Sequence, residues 1–262
     1  MNSIKKYRIK RYEKDSLEST VDCVIVEYLF TIFIDSKEFI TLMCTPNSLK
    51  ELVIGFLHSE SIIENMSDIK SIMVFEEKGY VNIELNNRDL LNEKTNKKRV
   101  ITSGCGKGSM YYNELDRLTL NTNSSNREIE YSWISKVMNE FNKMSKLFLE
   151  TGGVHSVALS DFDKIIFFEE DIGRHNALDK VIGKCLEDNI DIKDKVILTS
   201  GRITSEIVLK CAKLNINYII SRSAATNVAI DLANIMNIRL IGFARGKRMN
   251  IYSKWKFIIK NI

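Results

Sequence analysis

Long hydrophobic runs are missing from this 262-residue chain. No apolar stretch approaches the ~18 residues of a membrane-spanning helix, and the opening MNSIKKYRIKRYEKD lacks the apolar core of a secretory leader. The expectation is a cytoplasmic protein with no membrane partner. Cysteines at metal spacing are missing too. The five, at positions 23, 44, 105, 185 and 211, include no C-x-x-C, which argues against a zinc ribbon and against a disulfide framework. There is no H-x-E, because Val157 stands two after His155, and no P-C-x-x-C. The ligand set of a zinc deaminase is therefore absent, and no protein-bound metal ion is expected. A strong net charge is lacking as well. Lysine plus arginine total 38 against 34 acids, leaving +4, and the lysines are spread along the chain, so nucleic acid is not indicated as a partner.

What remains is an ordinary globular composition, 44% hydrophobic and 27% charged, long enough for one large domain or two smaller ones. Residues 23 to 34 and 39 to 44 read as apolar strands separated by DSKE. Thr45-Pro46 then opens a helix with apolar positions Leu49, Leu52, Val53, Phe56 and Leu57. Two short strands follow near 70 to 75 and 80 to 85. The polar run Asn86 to Arg99 marks a surface connection, so residues 1–99 form a smaller N-terminal α+β part and residues 100–262 an α/β domain. In the latter, a helix from about Trp133 to Leu149 precedes strands 155 to 159 and 164 to 168, which flank an Asp161-Phe162-Asp163 turn. Helices and strands then alternate: helix 176 to 187, strand 195 to 199, helix 204 to 214, strand 217 to 221, helix 226 to 236 and strand 238 to 243. That alternation predicts a mainly parallel sheet.

The densest polar cluster is EDIGRHNALDK, Glu170 to Lys180, where a strand hands over to a helix. In open α/β sheets, ligands bind at that carboxyl edge. Three further loops are expected at the same edge: SGR at 200 to 202, SRSAATN at 221 to 227 and FARGKRMN at 243 to 250. Together they bring Arg174, Arg202, Arg222, Arg245 and Arg248, with His175 and Asn176, to one place. Gly201 lets a ligand approach the backbone, while Ser200, Thr204, Ser221 and Thr226 can cap helices or contact phosphate. Five guanidiniums on one edge repel unless an anion sits among them. The inference is a pocket for a phosphorylated, nucleotide-sized ligand. For the imidazoles of His155 and His175, contacts to that ligand or to Asp171 or Asp179 are expected, and His58 reads as a surface or cap residue. Cys23, Cys44, Cys185 and Cys211 read as small core residues.

Cys105 differs. It lies in Thr102-Ser103-Gly104-Cys105-Gly106-Lys107-Gly108-Ser109, a glycine-rich segment poorly suited to a core, and Lys107 favours its thiolate. A thiolate can attack the outer sulfur of a persulfide and accept it.

TSGCGKG, TGGVHSV, EDIGRHNALDKVIG, SGRITSEIVLKCA, SRSAATNVAIDLA and LIGFARGKRMNIY, with GFLHSESII upstream, together resemble the formate dehydrogenase accessory sulfurtransferase family. The match runs in order from about Gly55 to Tyr252. The resemblance implies a cytidine deaminase-like three-layer fold without its zinc, and a homodimer. It implies a sulfurtransferase that takes sulfur from a cysteine desulfurase as a Cys105 persulfide. The sulfur would pass to the molybdenum bis(molybdopterin guanine dinucleotide) cofactor, or its tungsten equivalent, carried as cargo for formate dehydrogenase. By the same motif match, Phe243, Ala244, Arg245, Gly246, Lys247 and Arg248 align with the segment that binds the guanine dinucleotide. Two departures stand out. Gly108 occupies the second position of the family's frequent C-G-x-C, so transfer must run through one cysteine. Ser61 replaces a common glycine, for which only a local backbone effect is expected.

Overall fold

Period-two alternation in strand β3 (Tyr28–Ile34) puts Phe30, Ile32 and Ile34 on one buried face. The computed structural model describes residues 1–87 and 127–253. β3 pairs antiparallel with β4 (Lys37–Cys44) and parallel with β6 (Tyr80–Leu85), and β5 (Ile69–Phe75) closes a four-stranded sheet of order β4-β3-β6-β5. Helix α1 (Leu49–Ser59) covers the apolar face, packing Leu49, Leu52, Val53 and Leu57 against Phe30, Ile32, Val81 and Ile83. The helix begins at Leu49 rather than at Thr45-Pro46. Ser48 is left-handed (φ 49), and Thr45, Asn47 and Ser48 bond to the side chains of Asp171 and Glu169 in the larger sheet instead of turning into the helix. Ser61, the position at which the resemblance implies a glycine, has φ 57; this is the left-handed backbone that glycine tolerates best.

Ahead of this layer stands a hairpin that the sequence reading missed. β1 (Ile4–Glu13) and β2 (Ser16–Ile25) pair antiparallel over ten residues each. Most of their side chains are exposed on both faces, so no apolar alternation announces them.

The larger sheet has the order β12-β11-β10-β9-β7-β8. Its strands are β7 (His155–Ser160), β8 (Ile165–Asp171), β9 (Val196–Thr199), β10 (Tyr218–Ser221), β11 (Arg239–Arg245) and β12 (Arg248–Ile251). The sheet is mixed, not mainly parallel. β9, β10 and β11 are mutually parallel, while β7 runs against β8 and β9, and β12 against β11. The four residues between β7 and β8 can only form a hairpin, because a parallel return needs a crossover of a dozen residues or more. Even so, β8, β9, β10 and β11 all point the same way.

Alternation divides the core between the sheet's two faces. Val157, Leu159, Ile197, Ile219 and Leu240 meet helices α4 (Arg174–Glu187), α5 (Ser205–Lys213) and α6 (Asn227–Ile235). Ala158, Val196, Leu198, Ile220 and Ile241 meet α2 (Tyr131–Met144). The result is three layers, helices on both faces of the sheet. The predicted helix to Leu149 is broken at Ser145, and α3 (Lys146–Thr151) continues as a separate element.

α1 joins the two sheets by lying on α4. The helices approach so closely that a Cβ on Gly55 would lie 2.6 Å from the carbonyl carbon of Asp179, and one on Gly183 would lie 2.6 Å from that of Glu51. His58 is consequently buried in this contact, not at the surface. Ser59 Oγ donates to Asp179 at 2.6 Å, and Lys210 Nζ bonds the same carboxylate at 2.6 Å and 2.7 Å.

Candidate functional site at the strand ends

The acids at the end of β8 are not free for chemistry. Asp171 and Lys180 form an ion pair at 2.8 Å with both side chains fully buried. Asp171 Oδ2 also accepts from Thr45 N and Thr45 Oγ1, each at 2.9 Å, and Oδ1 accepts from Gly173 N and Asn176 Nδ2, each at 2.9 Å. Lys180 Nζ completes its shell with Thr45 Oγ1 at 2.7 Å and Asn47 Oδ1 at 3.2 Å. Glu170 accepts from the backbone N–H groups of Leu147 and Phe148 at the start of α3, at 3.0 Å and 3.1 Å. Burial raises its carboxyl above the ordinary value, and those two donors oppose the rise. Glu169 accepts from Ser48 Oγ at 2.9 Å and pairs with Lys184. Each of the three consecutive acids therefore fastens one neighbouring element to the turn.

That fastening presents Arg174 and His175 at the head of α4. Gly201 sits against Arg174 and His155: a Cβ there would lie 3.1 Å from Arg174 Cβ and 3.6 Å from His155 Nδ1. Because β7 runs opposite to β8 and β9, His155 at its start comes to the same edge as their ends. Its Nδ1 is 3.5 Å from Ser200 Oγ, which accepts from Ser156 N at 2.9 Å. Burial lowers the His155 pKa, and the nearby Arg174 and Arg202 charges lower it further. The ring is neutral and sits among cations at neutral pH. His175 faces Glu206 of α5, with Nε2 3.0 Å from the carboxylate though not aligned for a hydrogen bond. The expected histidine contacts to Asp171 and Asp179 are not made, since lysines occupy both carboxylates.

Further along the edge, Arg222 N donates to Thr199 O at 3.1 Å, and Arg245 Nε donates to Arg222 O at 2.8 Å. Phe243 has φ 51, and the register shifts between Gly242 and Arg245. A bulky residue held in left-handed backbone is strained, a condition found often at binding sites. The bend carries Arg245, Gly246, Lys247 and Arg248 into solvent as a tight turn, tied to α2 where Ser135 Oγ donates to Gly246 O at 3.0 Å. FARGKRMN is thus a hairpin into β12, not a loop feeding a helix, so no helix N-terminus backs that arginine group.

Four expected contact residues have structural duties. Ser221 is fully buried, donating to Gly201 O at 2.6 Å and accepting from Ser223 N at 2.9 Å. Asn176 is held by Asp171 and by Met43 O at 2.8 Å. Ala244 lies in the core beneath α2. Thr226 caps α6 through Ala229 N at 3.4 Å. Thr204 stands at the N-cap of α5 with its hydroxyl buried and no hydrogen-bond partner among the described residues. Arg174, His175, Ser200, Gly201, Arg202, Arg222, Phe243, Arg245, Lys247 and Arg248 line the edge. The sequence reading missed Thr45, Asn47 and Lys180, which build the turn from below. A TPN segment beside an apolar helix gave no sign of it.

Cys105 and its glycine-rich segment lie outside the described residues, as does 88 to 99 of the expected connection. The other four cysteines are described. Cys44, Cys185 and Cys211 are buried as expected, and burial pushes the thiols of Cys44 and Cys185 up to about 12 and that of Cys211 higher still. Cys23 is only half-buried, on the hairpin, and its thiol is raised by partial burial and by a hydrogen bond to Glu150. Among the described residues no cluster of three His, Cys, Asp or Glu can hold a metal ion, and no helix is long and apolar enough to cross a membrane.

The fold and this edge define a three-layer α/β protein with cationic strand-end loops, joined to a smaller α+β layer. The chain belongs to the FdhD/NarQ family, whose model matches residues 25–259. It is 43% identical over 246 residues to the sulfur carrier protein FdhD of Bacillus licheniformis, covering 94% of each chain. It is 40% identical over 260 residues to that of Listeria monocytogenes, covering 98% of this chain and 100% of the relative. A crystal structure from Desulfotalea psychrophila, of a protein proposed to be a formate dehydrogenase accessory protein, superposes with a TM-score of 0.79 over 98% of this chain and 100% of that one. At 22% identity, that likeness establishes the fold alone.

Proposed function

We propose that this chain is a sulfur carrier in the maturation of formate dehydrogenase. Cys105 takes sulfur from a cysteine desulfurase as a persulfide and delivers it to the molybdenum or tungsten bis(molybdopterin guanine dinucleotide), held at the cationic strand-end edge. In loading, the Cys105 thiolate attacks the outer sulfur of the donor's persulfide; a new S–S bond forms and the donor leaves as its thiolate. The observation that carries this assignment is the state of the other cysteines. A thiolate is required, and Cys44, Cys185 and Cys211 are buried with their thiols pushed far above neutral pH, while Cys23 is raised by partial burial and then by Glu150. Cys105, beside Lys107, is the one cysteine left for the role. The edge suits an anionic dinucleotide: Arg174, Arg202, Arg245 and Arg248 offer guanidiniums, and the neutral His155 ring can accept a hydrogen bond from a base or ribose. The three layers of the larger domain fit the cytidine deaminase-like reading of the fold.

Mass spectrometry after incubation with a cysteine desulfurase and cysteine tests the proposal. The expected result is the mass of one sulfur atom on the Cys105 peptide, with loss of formate dehydrogenase activation in Cys105→Ala. If Cys105 stays unmodified and Cys105→Ala still yields active enzyme, sulfur transfer is wrong. A cofactor-binding chaperone would then remain, in which Arg245→Ala abolishes activation and Cys105→Ala does not.

A further inference from the structure

The cations of the N-terminal segment look evenly scattered in the sequence, but strand geometry sorts them. In the β1/β2 hairpin, successive side chains alternate between faces, and the register pairs Lys6 with Cys23, Arg8 with Val21, Lys10 with Ser19 and Tyr12 with Leu17. One face therefore carries Lys6, Arg8 and Lys10 with no acid from either strand; the nearest carboxylates are Asp15 in the turn, which accepts from Tyr12 Oη at 2.8 Å, and Glu150 by Cys23 at the base. The opposite face carries Lys5, Arg11, Glu13, Glu18 and Asp22 and neutralises itself, with Arg11 bonded to Asp22 at 3.1 Å and Lys5 over the Tyr7 ring. Lysines that only guard an exposed strand edge against aggregation need no such segregation.

The cationic face also exposes apolar side chains: Tyr12 is 69%, Leu17 64% and Val21 53% accessible. Its base rests on the body of the protein. Gly153 abuts Ile25, and Glu150 lies close enough to Cys23 to raise its thiol pKa. The distal half, from Arg8 and Val21 to Tyr12 and Leu17, is exposed. A two-stranded hairpin is at best marginally stable alone, and ten-residue strands that bury so little gain most from a surface laid on them.

We propose that this face of the hairpin is the docking surface for a protein partner with an acidic, apolar-studded surface. Carboxylates of the partner would meet Lys6, Arg8 and Lys10 while its apolar groups cover Tyr12, Leu17 and Val21. A second copy of this chain does not fit face to face, since three cations would meet three cations. The inference rests on the proposed sulfur-carrier function only in naming the partners to try, the cysteine desulfurase and apo-formate dehydrogenase.

Surface plasmon resonance of the full chain against each partner, at low and high salt, tests it. Wild type binds one of them with an association rate that falls as salt rises, and the charge reversal K6E/R8E/K10E lowers that affinity about tenfold or more, mainly through the association rate. Leu17→Ser with Val21→Ser weakens the same complex through dissociation. All five positions are exposed or lie on the exposed face, and far-UV circular dichroism verifies the hairpin. The proposal is overturned if neither partner binds wild type, if both bind the reversal variant unchanged, or if the face instead captures single-stranded RNA or drives dimerisation. Sulfur loading of Cys105 from a small-molecule persulfide donor is read in parallel. Its loss in wild type defeats the carrier function, whereas its persistence alongside unchanged binding defeats only the docking surface.

Discussion

Replacing Gly55 by alanine should destabilise the protein although it improves the helix. In a helix interior, alanine is favoured over glycine by about 1 kcal/mol, so propensity alone predicts a gain. The new Cβ, however, would fall 2.6 Å from the Asp179 carbonyl carbon and 2.9 Å from Gly183 N, against about 3.5–4.0 Å for comfortable contact between carbons. Both obstacles are backbone, so no rotamer change relieves them. α1 and α4 must part by at least about 1 Å, because the Asp179 carbonyl oxygen lies nearer still to the new Cβ, and a gap of that size forfeits a quarter to a half of each dispersion contact between them. Overpacking of this kind costs about 1–3 kcal/mol and occasionally more. With the propensity gain set against the upper part of that range, the net loss is about 2 kcal/mol. Urea unfolding followed by circular dichroism should show the midpoint falling by roughly 1 M, given slopes of about 2 kcal/mol/M for chains of moderate size. Gly183→Ala should behave alike, and the double variant should be less than additive because the two share one contact. A midpoint that stays put or rises in Gly55→Ala would show that the helices are not locked by this approach.

Lys180→Met should cost about 3–5 kcal/mol by stranding the Asp171 carboxylate in the interior, whereas Lys180→Met with Asp171→Leu should recover part of the urea midpoint; the guanine-nucleotide binding proposed for this edge should be lost in both variants, because the turn behind Arg174 has lost its organiser. His58 titrates at about 4 in the folded protein against 6.5 when free, chiefly through burial and then through Lys213; since the folded state prefers the neutral ring, its contribution is present above pH 6.5 and is lost as pH falls towards 4, up to about 3 kcal/mol. Comparing urea midpoints of wild type and His58→Gln at pH 7.5 and 4.5 should show a shallower acid loss in the variant.

The carboxyl-edge argument for the site was legible because it depends on strand direction, which alternation of helices and strands reveals. The prediction of convergence survives in a mixed sheet, because the reversed strand β7 brings His155 to the edge rather than removing a loop from it. The roles within EDIGRHNALDK were not legible. The turn reads as one wall of a ligand pocket, but Glu169, Glu170 and Asp171 also fasten groups 22 to 126 residues away in the chain, and local sequence carries no trace of a distant partner. His58 was misplaced for the same reason. Its helix looks amphipathic against one sheet, and only the second helix laid on its back buries the polar side. The strained bend at Phe243 and the strand β12 beyond it were hidden because Gly246-Lys247 resembles any polar loop.

The seam between α1 and α4 also bears on how such proteins can be recombined. Thr45, Ser48, Gly55 and Ser59 on one side answer Asp171, Glu169, Gly183 and Asp179 on the other. A chimera that takes residues before the connection from one relative and residues after it from another inherits half of each pair. Shuffling should therefore succeed only between parents that agree at these eight positions, whatever their divergence elsewhere, so that the two sides of the seam must be exchanged as a single unit.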